Sequence, residues 1–179
     1  MNVSPLVTLR TRSDGDTEML WRIAAELDTW EERGPDLPAP LTRAAFEARL
    51  AQQDDTSEYT ARFIVEADGV AVGSVSLFNI DQFARHAEVG ISLSAEARGL
   101  GIGTQAMRQI VEFAFVRCNF RRVHLEAIES NVVGLRVYEK VGFVVEGHLR
   151  EHSWVRGHYE NSVIMGLLRS EWELQQHSA

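Results

Sequence analysis

The sequence predicts an α/β domain, a mixed sheet flanked by helices, and three observations carry that prediction. Ala87, Val89, Ile91 and Leu93 alternate with Glu88, Gly90, Ser92 and Ser94, the period of two of a half-buried strand. The glycine-rich run Arg98-Gly99-Leu100-Gly101-Ile102-Gly103-Thr104 follows as a turn. Ile102, Ala106, Ile110, Ala114 and Cys118 then recur at helical spacing, joined by Met107, Val111 and Phe115, so the next segment reads as a largely buried helix.

In chain order, residues 7–12 read as a first strand. Asp14 or Asp16 is placed to cap a helix whose apolar face is Met19, Leu20, Ile23, Ala24 and Leu27. Residues 30–40, with three prolines and a glycine, form a loop. Thr42 caps a second helix running to about residue 53, with Phe46 and Leu50 inward. Residues 59–67 and 70–80 are β-rich and separated by Asp68-Gly69, a strong hairpin signal, so they pair antiparallel. A strand over 86–94 extends this meander through a turn at 81–84. Beyond the central helix come a strand over 122–129, a helix over 132–141, and two strands near 143–154 and 159–168 with Gly157 in their turn. The order is βααβββαβαββ, and the tail after Trp172 reads as frayed.

At 179 residues the chain suits one domain, 1–179, with a core over about 6–172. Its 45% hydrophobic and 25% charged residues are ordinary for a globular protein, and no apolar stretch is long enough to span a bilayer. Residues 1–13 lack the apolar core and cleavage site of a signal peptide, so a cytoplasmic location is expected. The single cysteine, Cys118, has no disulfide or metal-site partner and falls on an apolar helix face, as an inert thiol would. His148 and His152 lie four apart, but the residues between them do not form a metalloprotease motif and the segment reads as strand, so no metal is expected. A formal net charge of −8 argues against nucleic acid as a partner and is compatible with a cationic substrate.

A glycine turn feeding a helix N-terminus is an anion site, because the first amides of a helix lack intrahelical acceptors and the dipole makes that end positive. The run lacks the Gly-Lys-Ser/Thr ending of a P-loop, and its Gly-x-Gly-x-Gly spacing is not the Gly-x-Gly-x-x-Gly of a dinucleotide fold. Arg98-x-x-Gly101-x-Gly103 does resemble the pyrophosphate loop of the GNAT superfamily of acetyl-CoA-dependent N-acetyltransferases. The stretch from Asn131 through Gly134 and Tyr138 to Gly142-Phe143 resembles that superfamily's second hallmark, in order and at the usual separation. Glu146-Gly147-His148-Leu149-Arg150 and Trp154-Val155-Arg156-Gly157-His158-Tyr159 resemble the ribosomal-protein N-terminal acetyltransferase and bacterial spermidine N-acetyltransferase branches.

The resemblance implies an acyl-CoA N-acyltransferase fold, acetyl-CoA as cosubstrate, and direct acetyl transfer to a primary amine in a ternary complex. It implies that residues Arg98 to Thr104 hold the pyrophosphate, that backbone near Ile91 to Leu93 pairs with the pantetheine arm, and that Asn131 both caps its helix and helps seat CoA. Tyr138 matches the tyrosine that protonates the leaving thiolate; its competing reading is a tyrosine packed on an amphipathic helix. Glu88 is the first choice for the base, with Glu126 and Glu129 as alternatives and a solvent-facing carboxylate as the bland reading. Trp30, Glu31 and Glu32 fall in the loop lining the acceptor side and suit an amine with apolar and cationic parts, unless that loop is merely acidic and solvated. The expected acceptor is a small cationic amine such as a polyamine. A protein N-terminus, an amino acid or an aminoglycoside-like antibiotic stays open, as does a non-catalytic acyl-CoA sensor. A homodimer through the C-terminal strands is also implied.

Overall fold

The computed structural model describes residues 4–26, 42–54 and 60–177. The elements are β1 (Val7–Arg10), α1 (Thr17–Ala25), α2 (Arg43–Asp54), β2 (Ala61–Ala67), β3 (Val70–Asp81), β4 (His86–Leu93), α3 (Ile102–Glu112), β5 (Arg122–Ile128), α4 (Val132–Val141), β6 (Val144–Val155), β7 (His158–Leu168) and α5 (Arg169–His177). Seven strands form one sheet in the order β1-β2-β3-β4-β5-β7-β6. The first four are an antiparallel meander, β4 and β5 are parallel neighbours joined through α3, and β7 pairs antiparallel with both β5 and β6. This is the mixed sheet that the residue pattern predicts.

Local chemistry accounts for the turns. Asp68 and Gly69 both take positive φ, 48° and 81°, the geometry that lets a two-residue hairpin follow the twist of its strands. Arg156 and Gly157 repeat it between β6 and β7, with φ of 47° and 88°. Thr42 Oγ1 accepts from the Ala45 amide at 3.2 Å at the start of α2, as its position predicts.

The core lies on one face of the sheet under α3. Ile102, Ala106, Met107, Ile110 and Val111 are all buried, against Val75, Leu77, Ala87 and Val89 from the meander and Val123, Leu125 and Met165 from the far half. Each large apolar side chain so buried contributes about 1.5–3 kcal/mol, enough to fix α3 against both halves at once. The helix is α only to Glu112. Phe113–Arg117 continue as a π turn, which delivers Ala114 and Phe115 to the core and leaves Cys118 half-buried beyond it.

Three expectations are corrected. The first strand ends at Arg10, because the chain there turns into a short 3-10 segment, Asp14–Asp16. Asp16 does not cap α1 through its side chain. Its buried carboxylate instead accepts from Arg10 Nη1 and Nη2 at 2.8 and 2.7 Å and from the Ser13 amide and hydroxyl at 2.7 and 2.9 Å, a charged partner that outcompetes the helix amides. The tail after Trp172 is not frayed, since α5 runs to His177 with Trp172 packed on Phe115 at a ring separation of 5.6 Å and Arg169 paired with Glu173. Leu27, Tyr59 and the loop over 30–40 lie outside the described residues. None of the described helices is long and apolar enough to cross a membrane.

The Asp16 cluster carries a test. Arg10 and Ser13 hold the Asp16 carboxyl far below its ordinary 3.8, so its stabilisation is complete above that pH and is lost as pH falls towards the lowered folded value. Asp16→Ala is expected to cost about 2 kcal/mol in urea unfolding at pH 7, since Arg10 keeps Glu66 but loses its charge-assisted bonds to Asp16, and the Ser13 amide loses its acceptor. The difference between the two proteins should shrink in strongly acidic solution.

Candidate active site

The site begins where β4 and β5 part. β4 pairs with β3 along its whole length, through Leu93↔Gly73, but with β5 only at His86↔Arg122, Ala87↔Val123 and Glu88↔His124. From Val89 to Leu93 the β5-facing edge of β4 therefore has no strand beside it among the described residues. β5 meanwhile stays paired with β7 to Ile128. The result is a fork with open backbone groups along one prong, and Ile91 and Leu93 lie on that prong. Ala87 and Val89 are buried with α3, so the alternation of the strand puts Glu88, Gly90 and Ser92 on the opposite face.

The glycine turn closes the mouth of the fork. Gly99 and Gly101 have φ of 73° and 80°, a region that L side chains rarely adopt, and a β-carbon at either would meet nothing within 4 Å. Gly101 is the N-cap of α3, so no side chain caps the helix, and its first turn holds no acidic residue. The amides of Ile102, Gly103 and Thr104 thus lie in a first turn that lacks intrahelical acceptors, at the positive end of the helix, with no side-chain cap among the described residues. Leu100 is exposed, and Arg98 Nε donates to the Leu93 carbonyl at 3.3 Å, tying the turn back to the end of β4. Gly103 sits between β4 and α4, where a β-carbon would stand in ordinary contact with Leu93 at 3.5 Å and Val137 at 3.9 Å.

α4 stands beside this end of α3. Asn131 is its N-cap, with Oδ1 accepting from the Gly134 amide at 2.9 Å. A β-carbon on Gly134 would fall 2.7 Å from Asn131 Nδ2, so the glycine makes room for the cap. Two turns on, Tyr138 packs against the core and edge-to-face on Phe143, ring centroids 6.2 Å apart. Burial pushes its phenol up to about 12. The hydroxyl therefore carries its proton throughout the neutral range.

The three carboxylates named from the sequence sit on different supports. Glu88, half-buried at the apex of the fork, accepts from Asn79 Nδ2 at 2.8 Å. Glu126, farther along β5, has an oxygen 3.6 Å from His152 Nε2. Glu129 accepts from Asn161 Nδ2 at 2.9 Å and lies 3.5 Å from His148 Nδ1. These last contacts surround a bulge in β6, where Glu151 has a φ of 51°, and a cavity of about 790 Å³ lined by His148, Leu149, Arg150, Glu151, His152 and Asn161. Among the described residues no group of three His, Cys, Asp or Glu is arranged to hold a metal. Arg122 is committed to a bidentate ion pair with Glu146, and Arg121 donates to the Ala84 carbonyl.

Two neighbours of the fork were not found by sequence reasoning. His124 is the cross-strand partner of Glu88, and His86 packs edge-to-face on it with ring centroids 5.4 Å apart. Only the strand register brings them together. Trp30, Glu31 and Glu32 lie outside the described residues.

Comparison with known proteins gives consistent findings. The sequence matches the Acetyltransferase (GNAT) domain over residues 7–144. It is 33% identical over 116 residues to spermidine N(1)-acetyltransferase of Escherichia coli K12, a stretch covering 65% of this chain and 62% of that protein. It is 38% identical over 106 residues to a putative ribosomal N-acetyltransferase of Bacillus subtilis, covering 59% and 58%. The matched stretches thus span less than two thirds of either relative. In fold, the chain resembles a spermidine N-acetyltransferase of Vibrio cholerae solved with CoA and spermine, with a TM-score of 0.84, 24% identity, and 93% and 98% of the two chains covered. It also resembles RimJ of Mycobacterium smegmatis solved with CoA-disulfide, with a TM-score of 0.82, 22% identity, and 94% and 84% covered.

The capping geometry is open to direct test. Asn131→Ala should lower the free energy of unfolding by about 1 kcal/mol, the usual worth of an N-cap. Gly134→Ala should cost as much or more, because its methyl group displaces the same cap; urea denaturation of both variants checks the pair.

Proposed function

The chain belongs to the Acetyltransferase (GNAT) domain family, and from that premise we propose that it is an acetyl-CoA-dependent N-acetyltransferase, passing an acetyl group to a primary amine by direct attack in a ternary complex. One observation carries the reading. A β4–β5 fork with a free backbone edge opens next to an α3 N-terminus that has neither a side-chain cap nor an acidic first turn. Such a pair suits a ligand with an amide-bearing arm and a pyrophosphate, which is the chemistry of CoA.

Acetyl-CoA supplies the thioester carbonyl. The amides from Gly99 to Thr104, with Arg98 beside them, neutralise its pyrophosphate, and the Ile91 to Leu93 edge of β4 pairs with its arm. Asn131 keeps Nδ2 for the same ligand while Oδ1 caps α4. Glu88 takes a proton from the acceptor ammonium, whose pKa near 10.4 in a lysine-like amine otherwise leaves little free base at neutral pH. Tyr138, whose phenol burial pushes up to about 12, gives its proton to the departing thiolate and regains one from the second proton that the nitrogen loses as the amide forms. No covalent enzyme intermediate is involved.

For the acceptor we infer a small cationic amine such as a polyamine. The E. coli relative supports this, as does the carboxylate-rich sheet face carrying Glu88 and Glu126. Trp30, Glu31 and Glu32 belong to the same reading, as the acceptor-side loop. A protein N-terminus is the second reading, favoured by the 38% identity to the B. subtilis ribosomal type. We take residues 1–179 as one domain of a cytoplasmic bacterial enzyme, in keeping with its bacterial relatives. A homodimer through β6, an edge strand of 12 residues with Val144 and Val145 exposed, completes the proposal.

Thiol release from acetyl-CoA across spermidine, spermine, amino acids, aminoglycosides and short peptides tests the activity and the acceptor together. Saturable release with a polyamine supports the first reading, and release with peptides alone supports the second. With the active amine, Tyr138→Phe should lower kcat by about a hundred-fold while CoA affinity by calorimetry stays within about two-fold. An unchanged kcat would remove Tyr138 from the chemistry.

A further inference from the structure

Alternation along β3 puts Val75 and Leu77 on the face buried beneath α3, and Asn79 should follow them there. It does not. The pairing of β3 with β4 is regular down to Phe78↔Glu88 and resumes at Asp81↔His86, so Asn79 and Ile80 together stand opposite Ala87. That is a β-bulge, with one extra residue in β3. Ile80 packs against the core, while Asn79 is exposed and donates from Nδ2 to Glu88 Oε2 at 2.8 Å. The bulge therefore moves a polar side chain from the α3 face to the face that carries Glu88.

The backbone is bent to achieve this. Asn79 has a φ of 49°, a conformation uncommon outside glycine that asparagine adopts more readily than most residues. Glycine would take the angle at less cost but has no amide to donate. A bulge, a left-handed residue and a bond to a carboxylate coincide at one position, and bulges beside active sites serve to re-aim a side chain. The support is firm. Asp81 Oδ1 accepts from the Ala84 amide at 2.7 Å, and Arg121 donates from its backbone amide to the Arg85 carbonyl and from Nε to the Ala84 carbonyl, both at 2.8 Å. The turn after the bulge is thereby fastened to the residue that leads into β5.

We propose that Asn79 is the positioning residue for Glu88: the bulge holds its amide on Oε2, which fixes the carboxylate at the apex of the fork and leaves Oε1 to meet the acceptor ammonium. The inference rests on the acetyl-transfer reading and on Glu88 as its base. Among the described residues no other donor meets this carboxylate. A glutamate has several rotatable bonds, and an unheld one spends most of its time in geometries that do not face the ammonium.

The test is steady-state kinetics with acetyl-CoA and the most active amine, for the parent, Asn79→Gly, Asn79→Ala, Glu88→Gln and the double variant of Asn79→Gly with Glu88→Gln. Glycine keeps the left-handed backbone and alanine strains it, so the pair separates the amide from the fold. Both Asn79 variants should lower kcat by about ten-fold, with KM for acetyl-CoA and for the amine within about two-fold, and only Asn79→Ala should lower the urea midpoint. Glu88→Gln should lower kcat by about a hundred-fold, and Asn79→Gly should cost nothing further in that background. A loss of kcat confined to Asn79→Ala, a rise in amine KM in place of the fall in kcat, or a further fall in the double variant overturns the positioning role and leaves Glu88 as base. Full kcat in Glu88→Gln removes the base and the positioning role together while acetyl transfer stands. Absence of turnover with every amine overturns the transfer reading and the role of Asn79 with it. Side-chain amide NMR of the full chain is a check independent of turnover: the Asn79 Nδ2 resonances should move in Glu88→Ala, and unmoved resonances contradict the bond.

Discussion

The contact between β4 and β5 ends after Glu88↔His124, and the rest of the site depends on where it ends. Parallel neighbours require a crossover, here α3 and its π turn, and that helix is buried against both halves of the sheet. Packing on both prongs holds the strands apart beyond Glu88. Leu93 at the tip of β4 approaches Gly103, and Val137 of α4 approaches it from the other side. One set of apolar contacts therefore fixes the fork, aims the N-terminus of α3 at its mouth and brings α4 alongside.

Charge is divided between the two ends of this frame. At the mouth, unguarded amides and the helix dipole present a positive end with no carboxylate in the first turn to neutralise it. On the sheet face opposite α3, Glu88 and Glu126 supply negative charge, the first tied to an amide and the second near a histidine. Tyr138 is partly buried against the core, and desolvation raises its phenol further above the neutral range. The positive helix end and the carboxylates thus lie at different ends of the frame.

Local chemistry made much of this legible in the sequence. Asp68-Gly69 named its hairpin because Asp and Gly are among the residues that most readily accept positive φ at the two turn positions, and α3 showed its buried faces through its spacing alone. Asn131 could be read as an N-cap from its place before Val132. What escaped depended on partners distant in sequence. Asp16 looked like a helix cap until Arg10 claimed it, and the tail gained its order from Trp172 meeting Phe115 across the core. Glu88 was visible as a strand carboxylate, but its facing histidine was not, since parallel register cannot be read from either strand by itself. The edge over Ile91 to Leu93 proposed for the cofactor is main chain, and side-chain identity reports it only through the family motifs around it.

The most direct test of the account is a backbone amide NMR titration of the full chain with CoA. The largest shift changes are expected on Gly99 to Gln105 and on Ile91 to Leu93, with a second group at Asn131 and Tyr138. Changes centred instead on the cavity between His148 and Asn161, or saturable binding that leaves the α3 N-terminus unmoved, would contradict it.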